Sequence, residues 1–268
     1  MRTIRLVAVN VFKESVRDKI LYNLVIFAVL MISTSYLIGQ LTGGQDVKII
    51  KDLGLASISI FGLLISVFIG IGLVWKEVEK RSIYTLLSKP IRRGEFVVGK
   101  YVGLVLTLVI NVAVMTVAFY AVVGYMGWAA PENVRAAFPS PAADPAMLKA
   151  VALIMIELML VTAIALFFST FSTPFLSAML TVGLWVIGHF NDDLRNLGSY
   201  VGSSTAVWLG KALYYVLPNF AAFDVKAQAV YGQPVPMGYV GLTALYGLTY
   251  VAFVLVGAVT IFSRRDFR

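Results

Sequence analysis

Long uncharged runs separated by short charged ones dominate the pattern of this chain. The runs cover residues 20–45, 53–75, 101–131, 150–191, where Glu157 is the only interruption, and 227–263. Each exceeds the roughly 20 residues that a helix needs to cross about 30 Å of hydrocarbon. The fourth run is about twice that length. It contains "FFSTFSTPF", in which Ser169, Ser172, Thr173 and Pro174 can end one helix and begin another. The pattern predicts six transmembrane helices, near residues 20–41, 53–75, 101–127, 148–169, 174–190 and 238–262. The fold class expected is all-α, a polytopic membrane protein with one transmembrane domain over residues 1–268.

Ahead of the first span, Ile4, Val7, Ala8, Val11, Phe12 and Val16 recur at helical spacing, opposed by Arg5, Asn10, Lys13, Glu14 and Arg17. Residues 1–19 therefore read either as an amphipathic helix lying on the membrane surface or as a simple charged flank. Their charge does not suit the apolar core of a cleaved signal. Residues 191–237 form the longest segment between spans. In it, "SSTAVWLGKALYYVLPNF" predicts a short helix with Ser204 as cap and Pro218 as stop, its Trp208, Leu209, Ala212, Leu213 and Val216 on one side.

Composition agrees with the membrane reading. Charged residues make up 13% of the chain and hydrophobic residues 59%, whereas a soluble domain carries about 25% charge. The absence of cysteine removes disulfide and thiolate chemistry. Basic residues concentrate in residues 2–19, in residues 76–100 and at Arg264, Arg265 and Arg268. Because Lys and Arg collect on the cytoplasmic side, both termini and the 76–100 loop are expected there, and residues 191–237 outside. The net charge of +8 then serves orientation and contact with anionic lipid, and nucleic acid is not an expected partner.

The 76–100 loop also carries candidate chemistry. Gly94, Gly99 and Lys100 reproduce the spacing G-x-x-x-x-G-K of a phosphate loop. Such a loop needs a strand before it, a helix after it and a Ser or Thr after the Lys. Tyr101 follows here, and Lys100 abuts a span, so nucleotide binding by this chain is not expected, with Gly94 and Gly99 as loop punctuation and Lys100 as an interfacial anchor. Between "KEVEKR" and "SKPIRR", the residues Ile83, Tyr84, Leu86 and Leu87 form an apolar cluster stopped by Pro90. That cluster either docks into a partner or packs under its own bundle.

The stretch "EVEKRSIYTLLSKPIRRGEFVVGKYVG" resembles the cytoplasmic loop of permease subunits of ABC transporters of the ABC-2 exporter type. The matching positions are Glu77, Glu79, Arg81, Leu86, Leu87, Ser88, Lys89, Pro90, Arg92, Gly99 and Lys100, while Ser82 stands where the family usually has Thr or Gly. The six spans, the acid in the fourth, "VIGHFNDDL" and "YYVLPNFAAFDVK" extend the similarity over most of the chain. The resemblance implies a permease whose 76–100 segment is a coupling helix. Glu77, Glu79, Arg81, Ser82, Ile83, Tyr84, Leu86, Leu87, Pro90 and Arg92 would then meet a cytoplasmic ATPase subunit present in two copies. It further implies a second permease copy or a related chain, residence in the cytoplasmic membrane, and use in export. Catalysis, ATP and magnesium would belong to the ATPase, so no catalytic, cofactor or metal site is expected here.

Glu157 lies inside the fourth span, where an ionisable side chain needs a partner, water or a proton. It reads either as a group on the translocation path or as a hydrogen-bonding lock between helices, with Asn111 or Thr116 as partner. His189, Asp192 and Asp193 are competent metal ligands, though solvated acids at a helix end explain them more simply. Gly62, Gly70, Gly72 and Gly103 suit close helix packing. Two other classes remain beside the ABC permease: a secondary transporter coupled to ions through Glu157, and a membrane scaffold without a transport cycle. The substrate is not legible.

Overall fold

The computed structural model describes residues 2–41, 46–79, 93–129, 144–191, 193 and 204–264. In chain order the helices are α1 (Arg2–Ser15), α2 (Lys19–Gln40), α3 (Asp46–Glu79), α4 (Arg93–Ala129), α5 (Pro145–Ser169), α6 (Pro174–His189), α7 (Ser204–Val216), α8 (Lys226–Val230) and α9 (Met237–Arg264). A 3₁₀ turn, Ala221–Phe223, precedes α8. No strand occurs among the described residues, and the chain is an all-α polytopic membrane protein.

Five of these helices, α2, α3, α4, α5 and α9, are long and apolar enough to cross a membrane. The element expected near 174–190 is different. Helix α6 has 16 residues and is about 24 Å long, less than the roughly 30 Å of a hydrocarbon core. Its limits are local. Thr173 is extended, at φ −74° and ψ 159°, because the residue before a proline avoids the helical region. Pro174 then begins the helix, and Phe190 closes it with its N–H on the Ile187 carbonyl at 3.1 Å. Helices α3 and α4 overrun their expected spans at both ends, so residues 76–79 and 93–100, assigned to the connecting loop, are helical. Apolarity marks the bilayer-sized part of a helix, whereas the backbone ladder continues into the polar interface.

Helices α3 and α5 form the centre, with α2, α4, α6 and α9 around them. Along α5, Leu153, Ile154, Leu158, Val161, Ala165 and Leu166 are buried. A Cβ added at Gly70 would lie 2.7 Å from the Ala165 Cβ, and one at Gly62 would overlap Leu158. Small residues here admit close backbone approach, as expected. Gly72 has nothing within 4 Å, so its expected packing role is not found among the described residues.

Helix α1 forms over the stretch whose apolar residues recur at helical spacing. Its apolar stripe rests on α4, not only on a lipid surface: Val7 meets Gly99, and Val11 and the Ala8 carbonyl meet Gly103. A Cβ at Gly103 would lie 2.6 Å from that carbonyl oxygen. Gly99 and Gly103 form a small-xxx-small face on one helix. Gly94 and Gly99 are therefore helix residues and not loop punctuation. Lys100, expected as an interfacial anchor, is only 1% exposed, with its ammonium 4.9 Å from the centroid of the Phe96 ring.

Candidate functional site

The hairpin of α5 and α6 brings the intramembrane acid to its partners. Thr170 ends α5 with its N–H on the Phe167 carbonyl at 3.1 Å, and Pro174 restarts the chain in the opposite direction. Glu157 and Trp185 lie at roughly equal distances from that turn, so antiparallel packing sets them side by side. Glu157 is 2% exposed. The Trp185 indole N–H donates to its Oε1 at 2.7 Å, and His189 Nε2 stands 3.7 Å from the same oxygen. That last separation is an electrostatic contact and not a hydrogen bond. His189 Nδ1 lies 3.0 Å from the Trp185 carbonyl. With that nitrogen donating, Nε2 turns toward the carboxyl, offering a lone pair when the ring is neutral and an N–H when it is protonated.

The expected partners of Glu157 are engaged elsewhere. Asn111 Nδ2 donates to the Thr107 carbonyl at 2.7 Å, and the Thr116 hydroxyl to the Val112 carbonyl at 2.7 Å. Both satisfy their own helix α4, which is what a short polar side chain does when no cross-helix partner is in reach. The alternative was visible in principle: a helical hairpin around residues 170–173 pairs residue 157 with a position near 185, where the chain has its only nearby indole donor.

The segment after α7 covers this cluster. The Phe220 N–H donates to the Gly188 carbonyl at 3.0 Å, and a Cβ at Gly188 would lie 2.6 Å from the Pro218 oxygen. Phe220 stacks on the His189 ring at 5.9 Å with 7° between planes. Phe220 and Phe223 are both fully buried. Lys226 pairs with Asp224 at 3.3 Å, and its ammonium lies 3.5 Å from the Ser59 hydroxyl of α3. Thus residues 218–230, which the sequence places in the segment between spans, pack into the end of the bundle.

A second polar lock holds the same end. Lys51 of α3 meets Asp144 at 2.8 Å, and Asp144 Oδ1 accepts the Ala146 N–H at 2.9 Å as the N-cap of α5. Burial raises the Asp144 carboxyl, but the Lys51 bond, the Ala146 bond and the nearby Lys51 and Lys149 charges outweigh it and hold the group below its ordinary value. Lys149 donates to the Val235 carbonyl at 2.6 Å.

At the opposite end, α4 is tied to α9. Arg93 donates to the Ser263 carbonyl at 2.9 Å, and Phe96 stacks on Phe262 at 5.8 Å. Of the expected docking residues, Glu77 and Glu79 belong to the last turn of α3. Arg81, Ser82, Ile83, Tyr84, Leu86, Leu87, Pro90 and Arg92 lie outside the described residues. No group of three or more His, Asp or Glu side chains suited to a metal occurs among the described residues. Asp193 is exposed, and Asp192 lies outside them.

No curated protein matches the chain. The family described as ABC-2 family transporter protein matches residues 6–191, from α1 through the end of α6. That match, over an all-α bundle with five membrane-length helices, places the chain in the ABC-2 transporter family, as a multi-pass permease component of an ABC transporter.

Proposed function

We propose that this permease forms a substrate pathway driven by a separate cytoplasmic ATPase, and that it works in export with a second permease copy or a related chain beside it. The observation that carries this reading is the family match across residues 6–191, which spans the charged segment between α3 and α4. The roots of that segment suit mechanical coupling. Helix α3 runs without a break from Asp46 to Glu79, and α4 from Arg93 to Ala129. Force applied between Glu79 and Arg93 would pass into two bundle helices, one of them braced by α1 and α9. Residues Glu77 through Arg92 are the proposed docking surface, in the cytoplasmic membrane with both termini inside. ATP and magnesium are assigned to the ATPase.

For Glu157 we favour a structural lock over a place on the pathway, because Trp185 satisfies it between two neighbouring helices of one chain. The test of the assignment is co-expression with an ABC ATPase subunit encoded next to the permease gene. Co-purification of the two, with ATP hydrolysis changed by reconstitution with the permease, is the expected result. A permease that purifies alone and leaves hydrolysis unchanged contradicts it.

A further inference from the structure

His189 is the single histidine of the chain, and three elements meet at its ring. On its own helix, Trp185 lies 4.4 Å away between ring centroids. From α5, Glu157 brings Oε1 to 3.7 Å from Nε2, with the histidine side chain 22% exposed and the glutamate 2%. From the segment after α7, Phe220 lies parallel to the imidazole at 5.9 Å. That segment is seated on the same turn of α6, through the Phe220 N–H on the Gly188 carbonyl. The ring thus touches both the buried carboxyl and the chain that covers it, while its partial exposure lets it exchange protons with water.

Three protonation states are open to the pair. With no proton to share, a buried carboxylate faces an imidazole lone pair, because Nδ1 directs the ring hydrogen to the Trp185 carbonyl. With two, an imidazolium lies beside a neutral carboxyl, and burial works against its charge. With one, the pair is neutral as a unit, whether the proton resides on the carboxyl or on Nε2, and neither group is left as a buried charge without a partner. Among the described residues, Lys226 and Asp224 act on the ring from the covering segment in opposite senses, and they pair with each other at 3.3 Å. Helix α3 adds the Ser59 hydroxyl beside Lys226, and Asp193, beyond the end of α6, is exposed.

Lifting the covering segment would admit water to the pair. Solvated, the two groups return toward ordinary values of about 4.3 and 6.5, so near pH 8 the lifted form holds no proton where the seated form holds one. Seating takes that proton from water and lifting returns it. The form that binds more protons gains as pH falls.

We propose that Glu157 and His189 form a proton-binding site whose occupancy seats residues 218–225 on α6, a latch that tightens on acidification and loosens as pH rises. The inference rests on the reading of Glu157 as a lock and adds a proton to it.

The full chain, freed of any histidine tag, is prepared in detergent with isotope-labelled histidine, so that magnetic resonance reads the single ring from about pH 5 to 9. Hydrogen exchange of peptides covering residues 218–225 is measured at about pH 6 and about pH 8.5 and corrected for the intrinsic pH dependence of exchange. The expected result is a step in the ring signals between those two values, with protection about tenfold or more greater at the lower one. Glu157→Gln keeps an acceptor for the Trp185 indole but cannot share a proton. It should move the ring step down by about 1 pH unit or more and abolish the pH dependence of protection. If that variant does not fold, the wild type decides alone. No ring step in that range, equal protection at both pH values, or a folded Glu157→Gln that keeps both behaviours overturns the proposal. The lock itself would survive that failure, since it rests on the melting of Trp185→Phe.

Discussion

The indole N–H of Trp185 donates to a carboxyl oxygen of Glu157 across 2.7 Å, tying α6 to the centre of α5. Helix α6 has a largely exposed surface, with Phe175, Met179, Val186 and Ile187 among its exposed residues, so this bond is a main polar contact fixing its rotation. Trp185→Phe keeps the ring but strands a buried carboxyl, which costs about 1–3 kcal/mol. Glu157→Gln keeps an acceptor for the indole and should cost less. Thermal unfolding in detergent should rank wild type and Glu157→Gln above Trp185→Phe. If Glu157→Gln assembles normally but loses transport, the carboxyl acts on the pathway and is not a lock.

The seating of α1 gives a second prediction. Gly103 faces the Ala8 carbonyl so closely that a Cβ would lie 2.6 Å from it, and backbone does not move aside as a flexible side chain would. Gly103→Val should therefore lift α1 from α4 and expose Arg5 and Lys13 to faster tryptic cleavage in otherwise folded protein. Cleavage at the wild-type rate would show that α1 does not depend on this contact.

Both findings bear on what could be read in the sequence. Helix α1 was legible because Ile4, Val7, Ala8 and Val11 follow a helical period, yet their partner was not. Of the two glycines that receive them, Gly99 was hidden inside a G-x-x-x-x-G-K spacing that drew attention to phosphate chemistry, and Gly103 was legible as a packing glycine but not as the seat of α1. Glu157 stood out because a lone acid in a long apolar run is conspicuous. Its partner did not, since that depends on the register of the hairpin around residues 170–173, and Asn111 and Thr116 were plausible on composition. The burial of Phe220 and Phe223 was invisible for a similar reason: aromatic residues beside Pro218 suit an interfacial loop as well as a packed one. Local period is written in the chain, whereas contacts between distant segments are fixed only when the helices pack.

A pH dependence follows from the Asp144–Lys51 pair. Asp144 is held below its ordinary value by Lys51 and Ala146 against an opposing effect of burial. A carboxyl depressed in the folded state stabilises the fold above its unfolded pKa of about 3.9, and that stabilisation fades as pH falls toward the lower folded value. Asp144→Asn keeps a capping side chain but removes the charge. The melting-temperature difference between wild type and Asp144→Asn should hold steady from neutral pH to about 5 and shrink below about 4. A difference independent of pH would mean the charge contributes nothing there.

Orientation can be tested with single cysteines, because the chain contains none. The distribution of Lys and Arg predicts that Ser88→Cys and Ser140→Cys react with an impermeant maleimide from opposite sides of sealed vesicles. Labelling of both from the same side would contradict the proposed topology.

The central claim is that the segment between α3 and α4 seats in an ATPase subunit, and one measurement bears on it most directly. An apolar side chain buried in a docking groove contributes about 1.5–3 kcal/mol, and a carboxylate in its place is desolvated without a partner. Leu87→Asp and the control Glu95→Gln, in the first turn of α4, are each expressed with the ATPase subunit, and its recovery with the permease is quantified alongside hydrolysis in reconstituted membranes. The account predicts that Leu87→Asp reaches the membrane in normal amount yet loses the ATPase and the coupled hydrolysis, while Glu95→Gln keeps both. Normal recovery and hydrolysis with Leu87→Asp would contradict it and assign the apolar cluster to packing within its own chain.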